Sequence, residues 1–242
     1  MSREAQHRKE PLGAVVVAAG ESSRMAGVDK IFAPLLGKPL IAHAIEALES
    51  CSLVSGIVLV LSPGMEGLGR ALAAERGWRK LVSEGICTGG PRRQDSVRLG
   101  LECLGGNSYP WVAVHDGARP CVAPDLLERG LDASQETGAA VAAVPAKDTI
   151  KLVSPTGFVD STLPRDSLWL VQTPQVFSYS LLHQAHRDCR ETVTDDASML
   201  EGLGHRVKVF MGSYTNIKVT TPDDLALAEV FLKSGGMAVS GA

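Results

Sequence analysis

The apolar residues of this chain fall into short runs separated by amphipathic segments. Four runs are rich in small and β-branched residues: "GAVVVAA" (13–19), "SGIVLVLS" (55–62), "WVAVHD" (111–116) and "GAAVAAVP" (138–145). Continuous runs of this length are typical of strands in a parallel sheet covered on both faces. Segments with helical spacing lie between them, over 39–50, 65–76, 94–104 and 124–136. The alternation predicts a doubly wound, mostly parallel α/β sheet that forms one domain over residues 1–242.

The stretch from about 147 to 167 interrupts this alternation. Here "TIKLV" and "FVDSTL" flank the turn "SPTG" at 154–157, a pattern that predicts a β-hairpin. A two-stranded ribbon is only marginally stable by itself in water. We therefore expect a protruding arm that packs on a partner.

Composition narrows the class of protein. The chain has 242 residues with a formal net charge of -3, so no overall basic field favours nucleic acid. Its five cysteines include no CxxC pair, which favours a reducing cytoplasm over a disulfide framework. The polar start "MSREAQHRKE" does not resemble a signal peptide, and no apolar run approaches a membrane span. We expect the ends, 1–10 and 234–242, to be frayed.

The first stretch with candidate chemistry is "AAGESSRMAGVDK" (18–30), directly after the first apolar run. Small residues here let backbone N–H groups approach an anion, and Arg24 and Lys30 add positive charge. The stretch matches neither the Walker A pattern nor GxGxxG. Two interpretations stay open on these residues alone: a cradle for a triphosphate, or a surface loop with solvated charges.

Three further stretches allow both a functional and a structural interpretation. In "VHDGARP" (114–120), Asp116 ends an apolar strand and could hold Mg²⁺ or a ribose hydroxyl, or else cap a turn and pair with Arg119. In "TGGPRRQDSVRLG" (88–100), Gly90 and Ser96 could contact a base, or belong to a loop before a basic helix face. In "NIKVT" (216–220), Lys218 is predicted at the end of a short strand, where it is either solvated or functional.

Taken together, these stretches resemble those of the 2-C-methyl-D-erythritol 4-phosphate cytidylyltransferase family. The matching stretches run in order from residue 12 to about 232: "AAGESSRM", "HDGARPC", "LWLVQTPQVF", "VTDDASMLE" and "NIKVTTPDDLALAE". The resemblance implies a Rossmann-like nucleotidyltransferase sheet and a homodimer in which the arm is exchanged between subunits. It also implies that CTP and methylerythritol phosphate react, with Mg²⁺, to give CDP-methylerythritol and pyrophosphate.

The resemblance also implies roles for individual residues. Arg24 and Lys30 match the basic pair that stabilises the transition state and the leaving pyrophosphate. Lys218 matches a lysine on the reacting phosphates, the acceptor phosphate included. Arg165 and Thr149 match arm residues that hold the acceptor phosphate from the neighbouring subunit, with Arg119 on the same side. The matches to nucleotide contacts are Ala18, Ala19, Gly20, Gly90 and Ser96, the last two on the cytosine side. Asp116 matches a carboxylate near the ribose and the metal.

Other functions are compatible with part of this pattern. A ribitol 5-phosphate cytidylyltransferase shares the scaffold and the CTP site, but more often has a β-branched residue before the arginine of "HDGARPC". The stretch "AAGESSRM" alone also fits nucleotidyltransferases for sugar phosphates or a molybdenum cofactor. A catalytically silent nucleotide-binding regulator would have no need for Arg24, Lys30, Arg165 and Lys218 together.

Overall fold

A computed structural model describes residues 10–20, 30–106 and 108–235. The strands, in chain order, are β1 (Leu12–Ala18), β2 (Pro34–Leu35), β3 (Lys38–Pro39), β4 (Val54–Leu61), β5 (Leu81–Thr88), β6 (Trp111–Asp116), β7 (Ala139–Pro145), β8 (Lys151–Val153), β9 (Val159–Thr162), β10 (Trp169–Ser178) and β11 (Lys208–Met211). The α-helices are α1 (Leu40–Ser50), α2 (Glu66–Arg76), α3 (Arg93–Leu104), α4 (Pro124–Ser134), α5 (Tyr179–Asp188), α6 (Asp196–Gly202) and α7 (Pro222–Lys233).

Seven of these strands form one twisted sheet in the order β11-β7-β10-β6-β1-β4-β5. All neighbours pair in parallel except β10, which runs antiparallel to both β6 and β7. The predicted doubly wound, mostly parallel α/β sheet is therefore confirmed. The strands predicted from the apolar runs match β1, β4, β6 and β7 to within one residue at each end.

The central strand β1 shows why such a sequence forms a sheet with helices on both faces. All seven of its residues are buried. Val16 packs in the core cluster that also contains Ile41 of α1 and Leu127 of α4. Val15 packs in a second cluster with Leu101 of α3 on the opposite face. Because both faces are covered, an apolar side chain is favourable at every position of the strand.

The prediction of a strand over 216–220 is wrong. These residues follow an irregular path, in which the N–H of Val219 donates to the carbonyl of Ala118 at 2.8 Å. A single backbone hydrogen bond of this kind ties the segment to the end of β6 without forming a ladder. The predicted helix start just beyond it is confirmed, since the side chain of Thr221 accepts from the N–H of Asp224 and Pro222 occupies the first turn.

The predicted hairpin arm is confirmed as the pair β8 and β9. Its turn is closed by a bond from the N–H of Gly157 to the carbonyl of Ser154 at 2.9 Å. Every residue of both strands is exposed, and Phe158 beside the turn keeps 74% of its surface in solvent.

The frayed ends predicted for 1–10 and 234–242 fall almost wholly outside the described residues. Within the described parts of the chain, no helix has both the length and the apolar character needed to cross a bilayer.

Candidate active site

The candidate site lies at the carboxyl ends of β1 and β6, which are neighbours in the sheet. Val17 of β1 pairs with Asp116 of β6, and the N–H of Gly117 donates to the carbonyl of Val17 at 2.8 Å. The loop that begins at Ala19 therefore leaves the sheet directly beside Asp116. Ligands in doubly wound sheets bind at this edge, where the loops emerge.

A cavity of about 230 Å³ opens at this edge and brings together most of the predicted residues. The predicted residues that line it are Ala18, Ala19, Gly20, Lys30, Gly90, Ser96, Asp116 and Lys218. They come from four separate parts of the chain. The predicted Arg24 lies outside the described residues.

Asp116 is the electrostatic centre of the site. The residue is 7% exposed, and three cationic groups surround its carboxylate. Lys218 Nζ lies 2.9 Å from Oδ2, Arg93 Nε lies 3.3 Å from Oδ1, and Arg119 Nε lies 3.7 Å from Oδ2. Burial by itself would raise the pKa of Asp116, but Arg93, Lys218 and Arg119 outweigh it and hold that pKa well below its usual range. The carboxylate is therefore ionised at neutral pH.

A buried hydrogen-bond network fixes the backbone around Asp116. The N–H of Asp116 donates to Thr173 Oγ1 at 3.0 Å, and that hydroxyl lies 3.1 Å from Nδ1 of His115. The other ring nitrogen of His115 lies 3.2 Å from the carbonyl of Arg119. Burial lowers the pKa of His115 to about 4, so the ring is neutral and can accept at Nδ1 while it donates at Nε2.

The loop before α3 is held close to β1 by two glycines and a serine. A Cβ built on Gly89 would lie 2.3 Å from the Cβ of Ala19, and a Cβ on Gly90 would lie 2.5 Å from the Cβ of Asp95. No side chain fits at either position. The N–H of Gly90 donates to Ser96 Oγ at 3.1 Å, so this buried hydroxyl shapes the loop.

Lys218 combines a fixed backbone with an accessible side chain. The neighbouring Asn216 is fully buried, and its side-chain amide donates to the carbonyl of Thr173 at 2.8 Å. The carbonyl of Asn216 in turn accepts from Nη1 of Arg119 at 2.8 Å. The side chain of Lys218 is nevertheless 41% exposed. It can therefore reach a ligand that enters the cavity.

Sequence reasoning missed two charged residues of this site, Arg93 and Asp196. Arg93 begins α3 and donates from Nη1 to Asp196 Oδ2 at 2.7 Å while its Nε faces Asp116. "TDDAS" (194–198) indicates only a helix start with acidic residues, and α6 does begin there. No local spacing signals that Arg93 and Asp196 meet, because they lie far apart in the sequence.

A second cavity, of about 450 Å³, adjoins the first on the side of β10. Arg93, Asp116 and Lys218 line both cavities, and the predicted Arg119 lines the second. The predicted arm residues Thr149 and Arg165 line neither. Both are exposed, and Arg165 donates from Nη1 to the carbonyl of Lys147 at 2.9 Å.

The donor atoms at the site limit how a divalent cation can be held. Among the described residues, no group of three or more His, Cys, Asp or Glu side chains is placed to bind a metal. In the part of the chain that the structure describes, Asp116 is the one carboxylate that lines the first cavity. Mg²⁺ in phosphate-handling sites is bound by one or two carboxylates together with substrate phosphates and water. The residues therefore fit Mg²⁺ that arrives with a nucleotide, and do not form a closed protein cage.

Comparison with known proteins identifies the family. The family model "IspD: 2-C-methyl-D-erythritol 4-phosphate cytidylyltransferase" matches residues 12–234. A protein of that name from Dehalococcoides mccartyi is 48% identical over 226 residues, which cover 93% of this chain and 98% of the relative. Another from Geobacillus thermodenitrificans is 44% identical over 225 residues, covering 91% of this chain and 96% of the relative.

Solved structures of similar proteins have the same fold. The enzyme of this name from Thermus thermophilus is 33% identical with a TM-score of 0.74, and the match covers 90% of this chain and 98% of that one. A 4-diphosphocytidyl-2C-methyl-D-erythritol synthase from Anaerococcus prevotii gives a TM-score of 0.81 at 26% identity, covering 93% and 99% of the two chains. The family resemblance found in the sequence motifs is therefore confirmed, and the chain belongs to the 2-C-methyl-D-erythritol 4-phosphate cytidylyltransferase family.

Proposed function

We propose that this enzyme transfers a cytidylyl group from CTP to 2-C-methyl-D-erythritol 4-phosphate, a step of isoprenoid biosynthesis that releases pyrophosphate. The observation that carries the proposal is the cluster in which Lys218, Arg93 and Arg119 surround the carboxylate of Asp116. Transfer between phosphates concentrates negative charge, which preorganised cations stabilise. Membership of the family supplies the identity of the two substrates.

The proposed reaction is a single in-line displacement. A phosphate oxygen of methylerythritol phosphate attacks the α-phosphorus of CTP, the new P–O bond forms, and the bond to pyrophosphate breaks. The enzyme supplies orientation and charge, and no covalent enzyme intermediate is needed. Lys30 and Lys218, which line the cavity, are proposed to stabilise the charge on the reacting and leaving phosphates together with Arg24.

We assign the nucleotide to the first cavity. The small residues Ala18, Ala19 and Gly20 leave their backbone open to the triphosphate, and a Cβ at Gly20 would have no neighbour within 4 Å. Cytosine is proposed to lie against the backbone at Gly90. Ser96 supports this contact because its hydroxyl holds the N–H of Gly90.

Mg²⁺ is proposed to bind with the nucleotide, with Asp116 as its protein ligand. When bound, the ion would neutralise part of the phosphate charge. This assignment requires Lys218, now 2.9 Å from Asp116, to turn toward the phosphates.

We also propose a homodimer in which each arm reaches the site of the other subunit. The supporting observation is an arm with large apolar side chains in solvent, among them Leu152 at 50%, Val159 at 58% and Phe158 at 74% exposure. Apolar patches of this kind mark interaction surfaces. In such a dimer, Arg165 and Thr149 would hold the acceptor phosphate opposite Arg119.

We also propose that the chain forms a single domain over residues 1–242 and that the protein is cytoplasmic. All five cysteines are free, which supports a reducing compartment.

Release of pyrophosphate from CTP and Mg²⁺ tests the function, with methylerythritol phosphate and ribitol 5-phosphate as alternative acceptors. We expect release only with methylerythritol phosphate. Release only with ribitol 5-phosphate would keep the CTP site and overturn the assigned acceptor. An assay with CTP but without acceptor controls for simple hydrolysis.

A further inference from the structure

Arg93 bridges two carboxylates that come from different parts of the fold. Its Nη1 donates to Asp196 Oδ2 at 2.7 Å, and its Nε donates to Asp116 Oδ1 at 3.3 Å. A guanidinium is suited to this arrangement because its donors point in fixed, divergent directions. Arg93 therefore connects the centre of the site to the start of α6.

The contact with Asp196 fixes Arg93 in place. The side chain of Asp196 has no exposed surface, and Nη1 of Arg93 lies within hydrogen-bond distance of it. His186 Nε2 lies farther away, 3.5 Å from Oδ1. Burial by itself would raise the pKa of Asp196, but Arg93 and His186 outweigh it and lower that pKa. If Arg93 moved away, a buried charge would lose its partner, which is strongly unfavourable.

Lys218 lies closer to Asp116 than Arg93 does, 2.9 Å against 3.3 Å, but its side chain is the more exposed of the two. The side chain of Lys218 is 41% exposed, against 25% for Arg93. Its flexible stem can turn away without leaving Asp116 unpaired, because Arg93 and Arg119 stay beside that carboxylate. Of the three cations around Asp116, Arg93 is thus bound to a second buried carboxylate, whereas Lys218 has the more exposed side chain.

We propose that Arg93 is a positioning residue that stays with Asp116 as its permanent counter-ion, so that Lys218 can leave Asp116 for the phosphates of the nucleotide. With Lys218 gone, Arg93 and Arg119 still balance the two carboxylates, Asp116 and Asp196. Without Arg93, Asp116 would compete with the incoming phosphates for Lys218. The proposal rests on the proposed function, because it takes Lys218 to be the phosphate-binding lysine.

The test compares binding of CTP with binding of cytidine, which has no phosphates, by calorimetry. Arg93→Gln alone leaves Asp196 buried without its partner and can fail to fold, so the double variant Arg93→Gln/Asp196→Asn is measured as well. Removing the charges of Arg93 and Asp196 together leaves no buried carboxylate without a counter-charge. Arg98→Gln is the matched control, since Arg98 lies on the same helix and pairs with the exposed Glu102.

We expect the double variant to bind CTP about tenfold more weakly, with cytidine affinity changed by less than about twofold. Arg93→Lys should recover part of the loss, because it restores the positive charge but not the second donor group of the guanidinium. CTP affinity equal to that of the wild type would overturn the proposal. Equal weakening for CTP and cytidine would also overturn it, since that result indicates a general distortion of the site.

A Lys218→Ala variant separates this inference from the proposed function. If Lys218→Ala weakens CTP binding and the double variant does not, the role of Arg93 alone is wrong. If Lys218→Ala leaves CTP binding intact, the placement of the phosphates is wrong, and the role given to Arg93 fails with it.

Discussion

The ammonium of Lys218 lies 2.9 Å from a carboxylate oxygen of Asp116, so the segment that follows β11 supplies a charge at the end of β6. Replacing Asp116 by Asn keeps the shape of the side chain but removes the negative charge. Lys218, Arg93 and Arg119 would then repel one another without a central anion, and the carboxylate proposed to bind Mg²⁺ would be lost. We expect turnover to fall by about a hundredfold or more, measured as pyrophosphate release. Wild-type turnover in a folded Asp116→Asn protein would contradict the central role of this residue.

Lys30 is expected to matter for turnover more than for folding. It lines the first cavity and lies in a short 3₁₀ turn, Lys30–Phe32, next to the buried Ile31. Removing one group that stabilises transition-state charge typically costs roughly 3 kcal/mol, or about a hundredfold in rate. We expect a loss of this size in kcat for Lys30→Ala, with an unchanged far-UV spectrum. Lys233→Ala is the control, because Lys233 pairs with Glu229 on the exposed end of α7.

A substitution at Gly89 tests whether nucleotide binding needs the close approach of the loop before α3 to β1. A methyl group there would lie 2.3 Å from the Cβ of Ala19 and 2.7 Å from Ser96 Oγ, so the loop must move. We expect Gly89→Ala to raise the KM for CTP by about tenfold or more, measured in steady-state kinetics. Gly67→Ala in α2 is the matched control, since a Cβ there meets no atom within 4 Å. Equal KM values for the two variants would show that the loop has room to adjust.

The sequence predicts the central strands well because burial on both faces leaves a simple signal. Every residue of β1 is buried, and the apolar run ends almost where the strand ends. β10 gives no such signal. Its buried section contains Gln172, Thr173 and Gln175, whose polar side chains are satisfied by partners distant in the sequence. Buried polar residues with long-range partners therefore hide a strand from pattern analysis.

The residues of the candidate site also differ in how far the sequence alone predicts them. Small residues and a lone charge next to an apolar run, as at Gly20 and Asp116, can be recognised locally. The partnership of Arg93 with Asp196 depends on how close the starts of α3 and α6 lie, which only the fold determines. The strand predicted around Lys218 fails because the residue is held by tertiary contacts and not by a ladder.

Arm exchange makes a prediction that a monomer cannot satisfy. Arg165→Ala should weaken binding of the acceptor, and Lys218→Ala should impair the phosphate site. If the arms are exchanged, a mixed dimer of the two variants contains one site with both native residues. Refolding an equal mixture should therefore restore about a quarter of the wild-type sites, measured as pyrophosphate release at low acceptor concentration. Activity no higher than the mean of the two separate variants would contradict the exchange.

The buried His115 should make the stability of the fold depend on pH. Its pKa is lowered from 6.5 to about 4 by burial, so the unfolded chain takes up a proton at a higher pH than the folded chain. The free energy of unfolding must then fall as the pH drops from 6.5 toward 4, and this residue has no effect above that window. Between pH 7 and pH 5 the free energy of unfolding should fall by about 2 kcal/mol, measured by urea denaturation at both values.

The control is His115→Gln, which lacks the titrating ring. Over the same interval its free energy of unfolding should fall by about 2 kcal/mol less than that of the wild type. An identical pH dependence in the two proteins would mean that His115 accepts its proton in the folded state as readily as in the unfolded one.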